Sequence, residues 1–221
     1  MPRIVVIGGH GRTGLLIVGQ LVAKGNSVVA TIRNPKHMAD LVKLGAEPVV
    51  IDLDKSTGPD FQKVFRGADA IVFAAGSSEG ESSALDRTGT VKTVRAAGRA
   101  GVKRYVTISS IGASTGMRLT GKWATDEMRD YYKQKRAANK ALRDSELDWT
   151  ILEPGELTEA KGTGKILLSE AAIEENTIPR ADVAATVVAV LDEPQTIGRA
   201  FQLTSGSTAI TAAVTKAVGK G

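Results

Sequence analysis

Four glycines, Gly8, Gly9, Gly11 and Gly14, fall within seven residues near the start of the chain and share that stretch with Arg12 and Thr13. Residues of these types at this spacing suit the binding of a phosphate chain. The segment fits both GxGxxG and GxxGxxG. It follows the apolar run Ile4–Ile7 and precedes the helical pattern LLIVGQLVAKG, which is the strand–turn–helix setting the motif requires. Gly8 or Gly9 permits the sharp turn, Gly11 lets the backbone approach a pyrophosphate, and Gly14 lets the helix sit closely on the strand. The first N–H groups of the helix then face the anion, where the helix dipole favours negative charge.

A second feature selects among dinucleotides. Sites for NAD carry an Asp or Glu at the end of the second strand, about 20 residues past the glycines, on the ribose hydroxyls. Here that place holds Thr31-Ile32-Arg33. An acid is missing and a guanidinium, which can grip a phosphate through two parallel hydrogen bonds, is present. The sequence therefore predicts NADP(H), with the 2′-phosphate on Arg33 and Arg12 as a second candidate. Lys36 and His37 are placed to assist from the following turn, although His37 reads more readily as a surface residue.

The elements that must position these residues follow from hydrophobic runs and their punctuation. Strands are expected at 4–7, 27–33, 48–53, 69–76, 104–110 and 148–152, and helices at 14–24, 36–44, 61–66, 83–100 and 124–144, most of the latter closed by glycine. Beyond 155, the pattern gives a strand at 164–169, a helix from Asp182, a strand at 200–206 and a last helix at 208–219. Alternating strands and helices with continuous apolar strands predict an α/β fold with a doubly wound, parallel or nearly parallel sheet of Rossmann type. Residues 1–221 are read as a single NAD(P)-binding domain, with substrate-pocket elements at about 155–180. Ligands of such sheets lie beyond the C-terminal ends of the strands. Pocket shape is expected to depend on loops 77–83, 112–123 and 155–165.

Composition bounds the alternatives. The chain has 221 residues, 42% of them hydrophobic and 24% charged, which is ordinary for a soluble globular protein. It contains no cysteine, so a disulfide framework, a thiolate metal site and a cysteine nucleophile are excluded. No apolar run approaches a membrane span, and the N-terminus does not resemble a secretory signal, so a cytoplasmic location is expected, with no membrane partner. The net charge of +5 is scattered among acids without interleaved aromatics. That pattern suits an anionic small molecule better than nucleic acid.

Taken in order, GGHGRTG, Asp52-Leu53, Ala74-Ala75-Gly76, Ser109-Ser110, LDWTILEPGELT and PRADVAATVVAVLDEP resemble the atypical short-chain dehydrogenase/reductase family. More narrowly, they resemble its small NAD(P)H-binding branch, related to flavin and biliverdin reductases. The resemblance implies that Asp52 and Leu53 line the adenine pocket and that Ala74, Ala75 and Gly76 pass under the nicotinamide. It also implies a catalytic set of Ser110 or Ser109 with Tyr131 and Lys135, one helical turn apart on one face. A tyrosine ordinarily ionises near pH ~10, and a neighbouring ammonium lowers that value. Tyr131 then protonates a carbonyl oxygen while the cofactor delivers hydride, and Lys135 also contacts the cofactor. Tyr132 and Arg136 repeat the spacing. The family commonly carries Arg-Pro-Gly after the sixth strand, whereas this chain has Glu153-Pro154-Gly155. Glu153 is expected to find a partner on the preceding helix or to alter substrate charge preference, and Glu156 is a candidate proton donor.

The reading is thus an NADPH-dependent oxidoreductase acting on a small carbonyl, quinone or flavin-like acceptor, with no metal. The alternative is a non-catalytic NADP-binding redox sensor. A nucleotide-sugar epimerase or dehydratase fits less well, because the C-terminal part is short. Helices near 86–100 and 124–144 are candidates for a homodimer contact.

Overall fold

A computed structural model of the chain describes residues 1–76, 84–116, 124–174 and 177–219. Part of the expected pocket rim, 77–83 and 117–123, lies outside the described residues. The fold is Rossmann-like. Its nine-stranded sheet has the order β11-β8-β10-β6-β5-β4-β1-β2-β3. Seven strands run parallel: β3 (Glu47–Val50), β2 (Ser27–Ile32), β1 (Arg3–Ile7), β4 (Ala70–Phe73), β5 (Arg104–Ile108), β6 (Asp148–Pro154) and β10 (Arg199–Ser205). Strands β8 (Lys165–Ser169) and β11 (Thr208–Ala209) add an antiparallel edge.

The central strands are apolar on both sides because both faces are covered. Successive side chains of β1 point to opposite faces. Ile4 and Val6 enter the core beneath α1 (Arg12–Ala23), α6 (Arg180–Asp192) and α7 (Ile210–Val218). Val5 and Ile7 enter the core beneath α3 (Gly58–Phe65), α4 (Ala84–Ala100) and α5 (Asp126–Arg143). The short helix α2 (Met38–Lys43) contributes its buried Leu41 to the first of these cores. With a low aromatic content, the interior is built mainly of Val, Ile, Leu and Ala, but Phe61, Phe65, Tyr105 and Phe201 are fully buried.

Helices and strands lie close to where the sequence places them, with three additions. β7 (Glu156–Thr158) and β9 (Thr177–Pro179) pair in a separate two-stranded parallel sheet, and β11 extends the main sheet edge. β6 also runs two residues further than the apolar pattern suggests, so Glu153 lies within the sheet opposite Gln202 of β10. The strand order reverses between β1 and β4, and the crevice at such a reversal is where an open α/β sheet binds its ligand.

Candidate functional site

A cavity of about 710 Å³ opens at the C-terminal ends of β1, β2, β4 and β5. Its floor is the glycine turn. Gly8 has φ +79°, a left-handed conformation that side chains rarely adopt, and a Cβ there would come within 2.8 Å of the Ala75 backbone. Gly14 is not on the cavity wall. A Cβ on it would lie 2.2 Å from the Gly8 carbonyl oxygen, so it acts by letting α1 close onto the turn. Helix α1 has Gly11 at its N-cap, with no side-chain cap and no acid in its first turn. Its leading N–H groups have no side-chain acceptor at the cap, and Gly11, Arg12 and Thr13 line the cavity. The glycine cradle, the uncapped helix end and the cations described next form a donor set suited to a dinucleotide pyrophosphate.

At one end the wall is made by His10, Arg33, Asn34 and His37, with Asp52 and Leu53 nearby. The rings of His10 and His37 stack, with centroids 3.7 Å apart and planes inclined by 10°. His10 Nε2 lies 3.0 Å from Asp40 Oδ2. The hydrogen bond from His10 holds the Asp40 carboxyl below the usual carboxylate range, helped by the Lys43 charge. Arg12 lines the same cavity, but its guanidinium donates to Glu159 at 2.8 Å. Arg180, at the start of α6, donates from Nε to that same carboxylate at 2.7 Å and from a terminal nitrogen to Thr13 Oγ1 at 3.2 Å. The hydrogen bond from Arg180, then the two guanidinium charges, hold Glu159 below its usual range. Arg180 thus stands beside the first turn of α1, on the cavity wall.

At the other end, Phe73, Ala74, Ala75 and Gly76 of the β4 terminus meet Leu85, Asp86, Ser109, Tyr131 and Lys135. Of the two repeated pairs on α5, the cavity takes Tyr131 and Lys135. Tyr132 is buried with its ring edge-on to that of Tyr131 at 5.4 Å, and Arg136 is exposed. Lys135 Nζ lies 5.5 Å from the Tyr131 ring centre and donates to Asp86 Oδ1 at 3.1 Å. Burial pulls the Lys135 pKa down, but the charges of Tyr131 and Asp86 outweigh it and the net shift is upward. The side chains of Lys135 and Asp86 are only 9% and 2% exposed.

The structure places Ser109, rather than Ser110, on the cavity wall. β5 ends at Ile108 and the chain then turns away, with the Ser110 carbonyl accepting from Ala113 N–H in the loop. Ser109 Oγ is buried and, among the described residues, has no hydrogen-bond partner. It also borders a void of about 10 Å³ shared with Asp86, Thr90, Lys135 and Asn139. Next to this void, Glu153 is 1% exposed and accepts from Asn139 Nδ2 at 2.9 Å. Burial raises its pKa, and the Ser114 hydrogen bonds and the Arg143 charge only partly offset this. Asn139 and Arg143 lie on the preceding helix α5, Ser114 lies in the loop after β5, and Glu153 stands off the cavity wall. Glu156 is exposed on β7 and does not reach the cavity.

His10, Asp86 and Arg180 are site residues that sequence reasoning did not single out. His10 occupies a variable position of the glycine motif, and Arg180 sits inside a quoted segment, so both had a positional signal. Asp86 had none, since only the packing of α4 on α5 brings it to Lys135.

Comparison with known proteins agrees with the fold. The chain is 35% identical over 221 residues to the uncharacterised sugar epimerase YhfK of Bacillus subtilis, covering 97% of this chain and 99% of that one. A Bacillus halodurans structure, provisionally described as an NAD-dependent epimerase/dehydratase, superimposes with a TM-score of 0.86 at 32% identity, covering 98% and 100% of the two chains. The oxidoreductase YlbE of Lactococcus lactis gives a TM-score of 0.83 at 30% identity, covering 98% and 97%. The family model described as NAD(P)H-binding matches residues 8–194, from the glycine turn to the end of α6, and the chain belongs to that NAD(P)H-binding family.

Proposed function

We propose that the protein is an NADPH-dependent oxidoreductase that reduces a small carbonyl, quinone or flavin-like acceptor. The observation that carries this reading is the joint presence of Tyr131, Lys135 and a Ser109 hydroxyl with no hydrogen-bond partner among the described residues, on the wall opposite the Arg33 end of one cavity. Gly8, Gly11, Arg12 and Thr13, with Arg180 beside them, hold the pyrophosphate. Asp52 and Leu53 bound the adenosine, Arg33 takes the 2′-phosphate, and Ala74, Ala75 and Gly76 underlie the nicotinamide.

When bound, the cofactor supplies a hydride. The chain supplies the rest. Ser109 Oγ donates a hydrogen bond to the acceptor oxygen and fixes its position. Tyr131 Oη holds the proton that this oxygen takes as the carbon is reduced, and Lys135 Nζ lies 5.5 Å from the Tyr131 ring. Asp86 neutralises part of the Lys135 charge, so the ammonium acts on Tyr131 as half of a pair rather than as a lone cation.

A sensor would have no use for a half-buried tyrosine turned into its own ligand cavity, and Tyr131 is such a residue. The decisive experiment follows NADPH oxidation by the purified protein with carbonyls, quinones and flavins, for the wild type and Tyr131→Phe. The reading predicts turnover with at least one class and a loss of about 10²-fold or more in the variant, with NADPH affinity unchanged. Absence of oxidation with every class, alongside tight NADPH binding, would favour the sensor. Strong preference for NAD⁺ would instead favour the epimerase chemistry named for two of the relatives.

A further inference from the structure

The stacked imidazoles at the Arg33 end do more than cover surface. His10 and His37 come from different elements, the glycine turn and the 3-10 turn Pro35–His37, and both line the cavity beside Arg33. They meet in parallel at 3.7 Å, and His10 is hydrogen-bonded to Asp40. We propose that the His10–His37 pair is a proton-linked specificity element for the 2′-phosphate of NADP(H), charged on binding this cofactor and indifferent to NAD(H). The proposal rests on the reading that the 2′-phosphate sits at Arg33.

The electrostatics follow from the arrangement. Two imidazolium charges at the 3.7 Å separation of these rings would repel each other strongly. Asp40, 3.0 Å from His10 Nε2, offers a counter-charge to His10 and leaves His37 to face the ligand. The neighbouring charges are Arg33 at the end of β2, Lys36 and His37 on the 3-10 turn, Asp40 and Lys43 on α2, and Arg12 at the start of α1. Arg12 is engaged by Glu159 and Lys43 reaches Asp40 at 3.8 Å, so neither is released by protonation of the histidines. Arginine and lysine side chains ordinarily keep their charge across the neutral range and confer no pH dependence there. Histidine is the group that can. A 2′-phosphate dianion placed beside the pair supplies the charge that makes the second proton favourable on His37. NAD(H), with a hydroxyl there, does not.

Binding of NADP⁺ should therefore draw protons from solution, and binding of NAD⁺ should not. The window is about pH 6.5 to 8. Below it the phosphate, with a second pKa near ~6, begins to take up its own proton. Across this window the NADP⁺ affinity of the wild type should fall by about fivefold to tenfold, while that of NAD⁺ stays level.

The test is calorimetric titration of the full chain with NADP⁺ and NAD⁺ in two buffers of different ionisation enthalpy, for wild type, His37→Asn and His10→Asn. Proton uptake specific to NADP⁺, abolished by His37→Asn with NAD⁺ affinity unchanged, would support the proposal. A preference for NADP⁺ with no specific uptake, or with uptake that survives both substitutions, would overturn it and leave the Arg33 assignment standing. Equal weakening of both dinucleotides in His37→Asn would also overturn it, making the rings a platform for adenine. No preference for NADP⁺ at any pH would bring down the Arg33 assignment itself, and this proposal with it.

Discussion

The two ends of the cavity are built on opposite electrostatic plans. At the Arg33 end the charged groups are exposed or half-buried, numerous and loosely paired, and they come from loops and short turns. At the Tyr131 end the charges are few and buried, and they are locked between two long helices as Lys135 and Asp86. Exposed charges are screened and cheap to rearrange, so they suit the selection of a ligand that brings its own charge. A buried pair is costly to break and holds one geometry, which suits the placement of a proton donor. The first end is thus tolerant of substitution in the fold and sensitive in binding, and the second is the reverse.

The largest effect should come from the turn that joins them. Gly14→Ala forces a Cβ against the Gly8 carbonyl, where the backbone has no room to yield. The expected cost is about 3 kcal/mol, together with loss of dinucleotide binding, read by denaturant unfolding and calorimetry. Retained stability and binding would contradict the close helix–turn contact.

Asp86→Ala comes next. It leaves the Lys135 ammonium buried without its carboxylate, and about 3 kcal/mol of stability should be lost at neutral pH. The pH dependence sharpens the point. The folded pKa of Lys135 is raised, so the pair's stabilisation is full below the ordinary lysine value of about 10.4 and fades as pH rises through the folded value. Unfolding curves of the wild type should therefore weaken in the alkaline range more steeply than those of the variant.

At the exposed end the effect moves from stability to affinity. Arg33→Ala should leave the unfolding midpoint nearly unchanged and weaken NADPH by about 10- to 100-fold, through loss of a charge-assisted hydrogen bond, while sparing NADH. Equal losses for both would separate Arg33 from the 2′-phosphate.

The smallest expected effect is at Glu153. Its folded pKa is raised by burial, so the folded state favours the protonated acid and loses stability as pH rises through that value. Glu153→Gln keeps an acceptor for Asn139 and removes the charge, so it should be slightly stabilising above neutral pH, by up to about 1 kcal/mol, with NADPH affinity unchanged. A marked loss of binding would place Glu153 in the site after all.

The contrast also explains what was legible in the sequence. Buried parallel strands announce themselves as continuous apolar runs, and the glycine spacing fixes the turn between β1 and α1, so the sheet and the cavity's position could be read directly. The short strands β7, β9 and β11 could not, since strands of two or three residues carry no period. Tyr131 was separable from Tyr132 only once α5 was docked, because the helical repeat offers both. Ser109 and Ser110 are adjacent, and the end of β5 decides between them. Asp86 and Glu159 matter through partners 49 and 147 residues away, Lys135 and Arg12, a relation that no local pattern encodes.

The most direct test of the account is calorimetric titration of the purified full chain with NADPH and, separately, NADH. The account predicts one site per chain with clear preference for NADPH. A preference for NADH would contradict the assignment of Arg33 and the exposed end, and binding of neither would contradict the cavity's role as a dinucleotide site.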